Sequence, residues 1–259
     1  MEHLGANELL LAVARLTEQG ATFGLVTILG EHEPSGKLLV TEDEAKMAQD
    51  EGKNQEAEAT VREKVAQAIS AGKATMLTEL VIDGERYAVA IEIIRPKPSV
   101  VVFGAGHVGQ SVALMASMVG YAVTAIDDRE AFANRNRLPD PRIELMAEPY
   151  EQAAATVRIT SNTAVVIVTR GHQYDELCLR SVVESRAKYI GMIGSRRRVI
   201  SVFKQLTQSG VSPGLLERVH APIGLKIWAR SPQEIAVAIL AEIIQTFNQA
   251  TDSPESSPS

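Results

Sequence analysis

The spacing of apolar residues changes character along the chain, and the changes mark its elements. Between Asn7 and Gln19 apolar residues fall at helical spacing through Leu10, Val13 and Ala14, and Gly20 ends the run. Phe23 to Leu29 and Lys37 to Val40 read as strands. Glu42 to Ala71 is rich in the good helix formers Glu, Ala, Lys and Gln, with a break expected at Gly52. Thr75 to Ile82 and Glu85 to Ile94 flank Asp83-Gly84, a strong hairpin signal. The polar stretch holding His32 and Glu33 reads as a solvated turn, and no catalytic constellation stands out in this first region.

After the stiff segment Arg95-Pro96-Lys97-Pro98-Ser99 the pattern alternates between short, fully apolar runs and helical ones. Strands are expected at Val100 to Phe103, Tyr121 to Ile126, Arg142 to Met146, Ala164 to Val168 and Tyr189 to Ile193. Helices are expected at Val108 to Val119, at Tyr174 to Arg186 and around Val199, Val202, Phe203 and Leu206. Continuous apolar strands separated by helices predict a parallel sheet covered on both faces, and right-handed crossovers make it doubly wound. A last helix is announced by Ser231, Pro232 and Glu234, a capping box with proline at the first helical position. Its body, Ile235 to Phe247, is nearly all apolar and is expected to be buried. The fold class is therefore α/β: a doubly wound, Rossmann-like C-terminal domain over residues 99–248, a smaller α+β N-terminal domain over 1–96, and a Ser/Pro-rich tail over 249–259 expected to be disordered.

The chemistry gathers where strands meet helices. Gly104-Ala105-Gly106-His107-Val108-Gly109 follows an apolar strand and opens a helix, the setting in which a G-x-G-x-x-G run turns sharply, lets a phosphate approach the backbone and offers it free amides. Asp127 stands 23 positions after Gly104, at the end of the next strand, where an acid can accept hydrogen bonds from a ribose. Arg129 follows close by, so an NAD-like and an NADP-like preference both stay open. Arg170, His172 and Asp175 follow the fourth strand, Ser195 and Arg196 the fifth, and His220 precedes the capped helix. Ligands of open α/β sheets bind outside the carboxyl ends of the strands, so these residues are expected in one anion-binding crevice. Within Arg196-Arg197-Arg198 one guanidinium is expected to face the ligand. The imidazoles of His107, His172 and His220 suit hydrogen bonding, acid–base work or, with Asp175, a metal, although their spacing forms no compact ligand motif. Cys178 shares a helical face with Tyr174, Leu177, Ser181 and Val182 and reads as a buried, inert thiol.

Composition narrows the setting. A net charge of −6 argues against a nucleic-acid partner. No apolar run approaches the roughly 20 residues of a membrane span, and the N-terminus lacks a signal-peptide pattern. With a single cysteine there is no disulfide framework, and a cytoplasmic location is expected.

Several longer motifs are more specific than the glycine pattern. Val102 to Gly109, Thr169-Arg170-Gly171-His172 with Asp175, Tyr189 to Arg197, and Val219-His220-Ala221-Pro222-Ile223-Gly224-Leu225 followed by Glu234-Ile235-Ala236-Val237 strongly resemble the XdhC/CoxI family over residues 99 to about 245. That family comprises maturation factors for xanthine dehydrogenase and related molybdenum hydroxylases. The resemblance implies a chaperone that binds molybdenum cofactor, as molybdopterin or its dinucleotide. It would present the cofactor to a cysteine desulfurase for sulfuration and insert it into a molybdenum hydroxylase apoenzyme. A homodimer is expected. The cofactor contacts would come from Gly104, Gly106, His107, Gly109, Asp127, Arg129, Arg170, His172, Asp175, Ser195, Arg196 and His220, with no catalytic residue and no resident metal. An NAD(P)-binding oxidoreductase or a nucleotide-sensing module stands as the alternative. The first domain departs from the family: Gly30 to Lys37 and Ile82 to Arg86 replace its Ser-x-Pro-Arg-type loop and cysteine-bearing stretches, and Lys226 and Trp228 stand where an acid and a small residue are usual.

Overall fold

The computed structural model describes residues 6–29, 34–47, 56–82 and 85–248. The chain divides into two compact units, the first running to Pro96 and the second covering Lys97–Phe247. The expectations for His32 and Glu33, for the break at Gly52, for the Asp83-Gly84 turn and for the tail over 249–259 lie outside the described residues.

In the first unit α1 (Ala6–Gln19) precedes β1 (Phe23–Leu29) and β2 (Pro34–Thr41), then α2 (Glu42–Met47), α3 (Glu56–Ser70), β3 (Thr75–Ile82) and β4 (Glu85–Ile94). The strands form an antiparallel sheet in the order β2-β1-β4-β3. Alternation along β1 sends Val26 and Ile28 inward, where they join Val40, Val89 and Ile91 against Val61 and Val65 of α3.

The second unit is a six-stranded, wholly parallel sheet. Its strands are β5 (Ser99–Phe103), β6 (Ala122–Ile126), β7 (Ile143–Met146), β8 (Thr163–Ile167), β9 (Tyr189–Met192) and β10 (Val219–His220). Their spatial order is β10-β9-β8-β5-β6-β7, so the chain starts in the middle, winds outward one way and then returns to wind the other. That is the strand order of dinucleotide-binding sheets, with its switch point between β5 and β8. On one face α5 (Tyr150–Thr156), α6 (His172–Val182) and α7 (Arg196–Gln208) bury Tyr150, Cys178, Leu179 and Val202; on the other α4 (His107–Met118) and α9 (Pro232–Asn248) bury Val112, Ala116, Ile239 and Ile243. α8 (Pro213–Glu217) leads into β10.

The capping box at α9 forms as expected: Glu234 N–H donates to Ser231 Oγ at 3.2 Å and Ser231 N–H to Glu234 Oε2 at 3.1 Å. Burial of α9 is only one-sided, because Val237 and Ile244 face outward. α6 starts two residues earlier than its periodicity suggests and ends at Val182. The short elements α5, α8 and β10 carry no periodic signal; α5 buries only Tyr150 and Ala153, too few positions to define a period. Among the described residues no helix is long and apolar enough to cross a membrane.

Candidate functional site

β5 ends at Phe103 and the chain turns at Gly104, whose φ is +102°. A Cβ at Gly104 would lie 2.6 Å from the Val168 carbonyl oxygen, and one at Gly109 would lie 1.7 Å from the Gly104 carbonyl oxygen. Both positions are glycine because the fold leaves no room for a side chain. Gly106 differs. Its φ is −65°, and a Cβ there would meet nothing within 4 Å. The space before α4 is thus open, and no side chain caps that helix, so its first amides and partial positive charge face the opening. His107, the first residue of α4, is exposed beside it.

The end of β6 is tied to this loop. Asp127 is fully buried and accepts from Ala105 N–H at 2.9 Å, from Arg129 Nε at 2.8 Å and from Arg129 Nη2 at 3.1 Å. Both carboxylate oxygens are therefore engaged by the protein, and the ribose contact expected of Asp127 would compete with those bonds. Arg129 is held further by the ring of Phe132, 3.6 Å from the guanidinium carbon. The next residue, Asp128, accepts from Arg170 Nη2 at 2.8 Å through Oδ2. Its Oδ1 is buried and receives no hydrogen bond, because the nearby Arg129 Nε, 3.7 Å away, donates to Asp127 instead. Arg170 also donates to Tyr174 Oη at 3.1 Å and lies over that ring. Since β5 sits between β8 and β6, the Arg170–Asp128 pair bridges the two strands that flank the glycine loop.

On the far side of β8, Thr169 Oγ1 donates to the fully buried Asp175 at 2.5 Å, and Asp175 pairs with Arg198. This is the guanidinium of the arginine triplet that turns inward; Arg196, expected in that role, is exposed. Ser195 caps α7 by accepting from Arg198 N–H at 3.3 Å, so the cap fixes the position from which Arg198 reaches Asp175. His172 opens α6, and its side chain lies outside the described ones.

His220 belongs to a different neighbourhood. It stacks on Tyr189 with ring centroids 4.5 Å apart, and its Nδ1 lies 3.5 Å from Glu242 Oε1. Glu242 Oε2 also accepts from Tyr189 Oη at 2.6 Å and from Gly224 N–H at 2.8 Å. Burial pushes the Glu242 carboxyl up, but the bonds from His220, Tyr189 and Gly224 outweigh it and hold it below its ordinary value. Glu242 forms part of the wall of an open groove of about 920 Å³, together with Arg196, Ile223, Lys226 and Trp228. β10 lies three strand spacings from β5, about 14 Å. The expectation of one pocket shared by all the histidines and arginines is thus corrected. Gly104, Gly106, His107, Gly109, Asp127, Arg129, Arg170 and Asp175 cluster around the switch point, whereas Arg196 and His220 border the separate groove. Glu242 and Arg198 escape sequence reasoning, since each is defined by a partner distant in sequence; the single available signal is that a buried Asp175 needs a cation.

Cys178 is fully buried, and desolvation with the nearby charges of Asp175 and Asp128 pushes its thiol well up. Among the described residues no three His, Cys, Asp or Glu side chains gather as a metal site.

A family model for the XdhC Rossmann domain matches residues 100–243. Over 156 residues the chain is 33% identical to a probable xanthine dehydrogenase component of Bacillus subtilis, covering 60% of this chain and 45% of that protein. Over 102 residues it is 28% identical to the molybdenum cofactor insertion chaperone PaoD of Escherichia coli K12, covering 39% of this chain and 32% of that one. The chain thus spans less than half the length of these curated relatives. The crystal structure of a xanthine dehydrogenase from Bacillus halodurans superposes with a TM-score of 0.55 at 20% identity, covering 96% of each chain, a likeness of fold.

Proposed function

The chain belongs to the XdhC family, and from that premise we propose that it is a maturation factor that binds molybdenum cofactor and helps insert it into a xanthine dehydrogenase-type molybdenum hydroxylase. The observation that carries the reading is the open space at Gly106 in front of an uncapped helix N-terminus, flanked by Arg129 and Arg170. Such a place suits the phosphate of molybdopterin or the pyrophosphate of its dinucleotide. The cofactor is cargo here: it supplies the metal chemistry of the hydroxylase, while this chain binds its phosphate end, orients it and shields it. A dinucleotide laid along the carboxyl edge would run from the glycine loop toward Arg196 and the groove. The name of the E. coli relative and the resemblance to XdhC/CoxI proteins support this reading. Hand-over to a cysteine desulfurase for sulfuration, a homodimeric state and a cytoplasmic location belong to the same proposal.

With Cys178 as its lone cysteine and that thiol buried, this chain does not hold molybdenum through a thiolate. Purification from cells that make the cofactor, followed by native mass spectrometry, tests the proposal together with the hydroxylase activity of cells lacking the gene. A retained pterin and lowered hydroxylase activity are expected. A protein that retains no pterin, in cells whose hydroxylase is unaffected by the deletion, would overturn it.

The strand order favours one second reading, an NAD(P)-binding oxidoreductase or nucleotide-sensing module. A copurified nicotinamide dinucleotide in place of a pterin would select it.

A further inference from the structure

Two buried polar atoms at this edge have no hydrogen-bond partner, and they are of opposite kinds. Asp128 Oδ1 accepts only; the hydroxyl of Tyr150, a residue 2% exposed, is an unused donor. They come from different elements, the end of β6 and the first turn of α5. The charges of Asp127 and Asp128 act on the phenol, and the Tyr150 ring meets Tyr174 edge-on at 5.5 Å. Tyr174 in turn carries Arg170, so the exposed Arg170 guanidinium, anchored on Asp128 and Tyr174, marks the outer side of this corner. Orphaned buried groups cost free energy, and a protein that keeps two beside a phosphate-binding loop has a use for them.

We propose that Asp128 and Tyr150 form a sugar-hydroxyl subsite beneath Arg170, which makes the ligand of this edge a ribonucleotide ester and not a bare pterin phosphate. A hydroxyl group satisfies both orphans at once, donating to Asp128 Oδ1 and accepting from Tyr150 Oη. The position fits, because the sugar following a phosphate on the glycine loop lies at the end of the neighbouring strand, here β6. The acid that ordinarily reads it, Asp127, has its oxygens taken by Ala105 and Arg129, and the task passes to the next residue. Arg170, released from Asp128 by the incoming phosphate, gains a stronger anion to pair with and uncovers the subsite. The inference rests on the phosphate-site reading above and specifies its ligand: among cofactor forms, the dinucleotide.

Isothermal titration of the full chain with ADP, 2′,3′-dideoxy-ADP and pyrophosphate tests it, with CDP and its dideoxy form run alongside because the base is not at issue. In the wild type the ribonucleotide binds about tenfold more tightly than its dideoxy analogue. Tyr150→Phe and Asp128→Ala each cut that preference to under about threefold, while pyrophosphate binds Tyr150→Phe as it binds the wild type. Because Tyr150→Phe deletes an unsatisfied hydroxyl, its unfolding midpoint equals or exceeds that of the wild type, which separates lost recognition from misfolding. Equal affinity for ADP and dideoxy-ADP in the wild type, a preference that survives in both variants, or no binding of ADP would overturn the proposal. Pyrophosphate binding without a sugar preference would overturn the subsite alone and leave the phosphate site standing. A sugar preference in a protein that retains no pterin would instead overturn the cargo reading.

Discussion

The amide of Ala105 donates a 2.9 Å hydrogen bond to the carboxylate of Asp127, fastening the middle of the glycine loop to the end of the adjacent strand. Asp127 also carries Arg129 on the same two oxygens. The acid therefore sets the shape of the phosphate loop before any ligand arrives. Asp127→Ala leaves a buried amide and a guanidinium without their partner and is expected to cost about 3 kcal/mol in denaturant unfolding. Asp127→Asn, which keeps an acceptor, is expected to cost about half as much. Wild-type stability in Asp127→Ala would show that the carboxylate does not organise the loop.

The glycines of the loop divide into two kinds, and alanine substitution separates them. Gly109→Ala forces a methyl onto the Gly104 carbonyl and should destabilise by about 3 kcal/mol or more. Gly106→Ala has an ordinary φ and open space, so its stability should match the wild type or rise by about 0.5 kcal/mol. The same methyl stands where a phosphate would approach, and pyrophosphate affinity should fall at least about tenfold. Unchanged affinity in Gly106→Ala, measured by calorimetry, would remove the glycine loop from the binding site.

Glu242 gives the second neighbourhood a pH signature. Its folded carboxyl lies below the ordinary value of 4.5, so the ionised form is the one the fold favours. The stability it contributes is complete above about that pH and is lost as the pH falls through the lower, folded value. Glu242→Gln should therefore be less stable than the wild type by about 1–2 kcal/mol at pH 7, through weakened bonds to Tyr189, His220 and Gly224. The gap should narrow on acidification below 4.5. A gap that is constant down to strongly acidic pH, in unfolding curves across the range, would show that ionisation of Glu242 is immaterial.

The thiol of Cys178, buried against the sheet with its ionisation suppressed, should resist thiol-specific reagents in the native protein and react within minutes in denaturant. Native reactivity would mean that α6 opens readily.

What could be read from residue order is what local rules govern. The glycine loop, the alternation of buried strands with helices and the Ser231–Glu234 cap all arise within a few residues of chain. The placements that could not be read depend on the order of strands in space. Arg196 and Arg198 stand two apart on α7, and nothing local says which will face Asp175; the Ser195 cap and the position of α6 decide it for Arg198. His220 resembles a companion of His107 in the sequence, yet β10 is an outer strand of the sheet and Glu242 from α9 claims its imidazole. Tyr150 gives no sequence signal because α5 is too short to announce itself, although that helix delivers the unused hydroxyl to the site.

Trp228 stands at the groove with a φ of +56° and 89% of its surface exposed, and it is the chain's sole tryptophan. Indole emission from this protein consequently comes from a single place, the rim of the groove beyond β9. A molecule settling there would shift the colour or intensity of that light, while one confined to the glycine loop would leave it unchanged, so an unlabelled sample already carries its own site-resolved optical gauge.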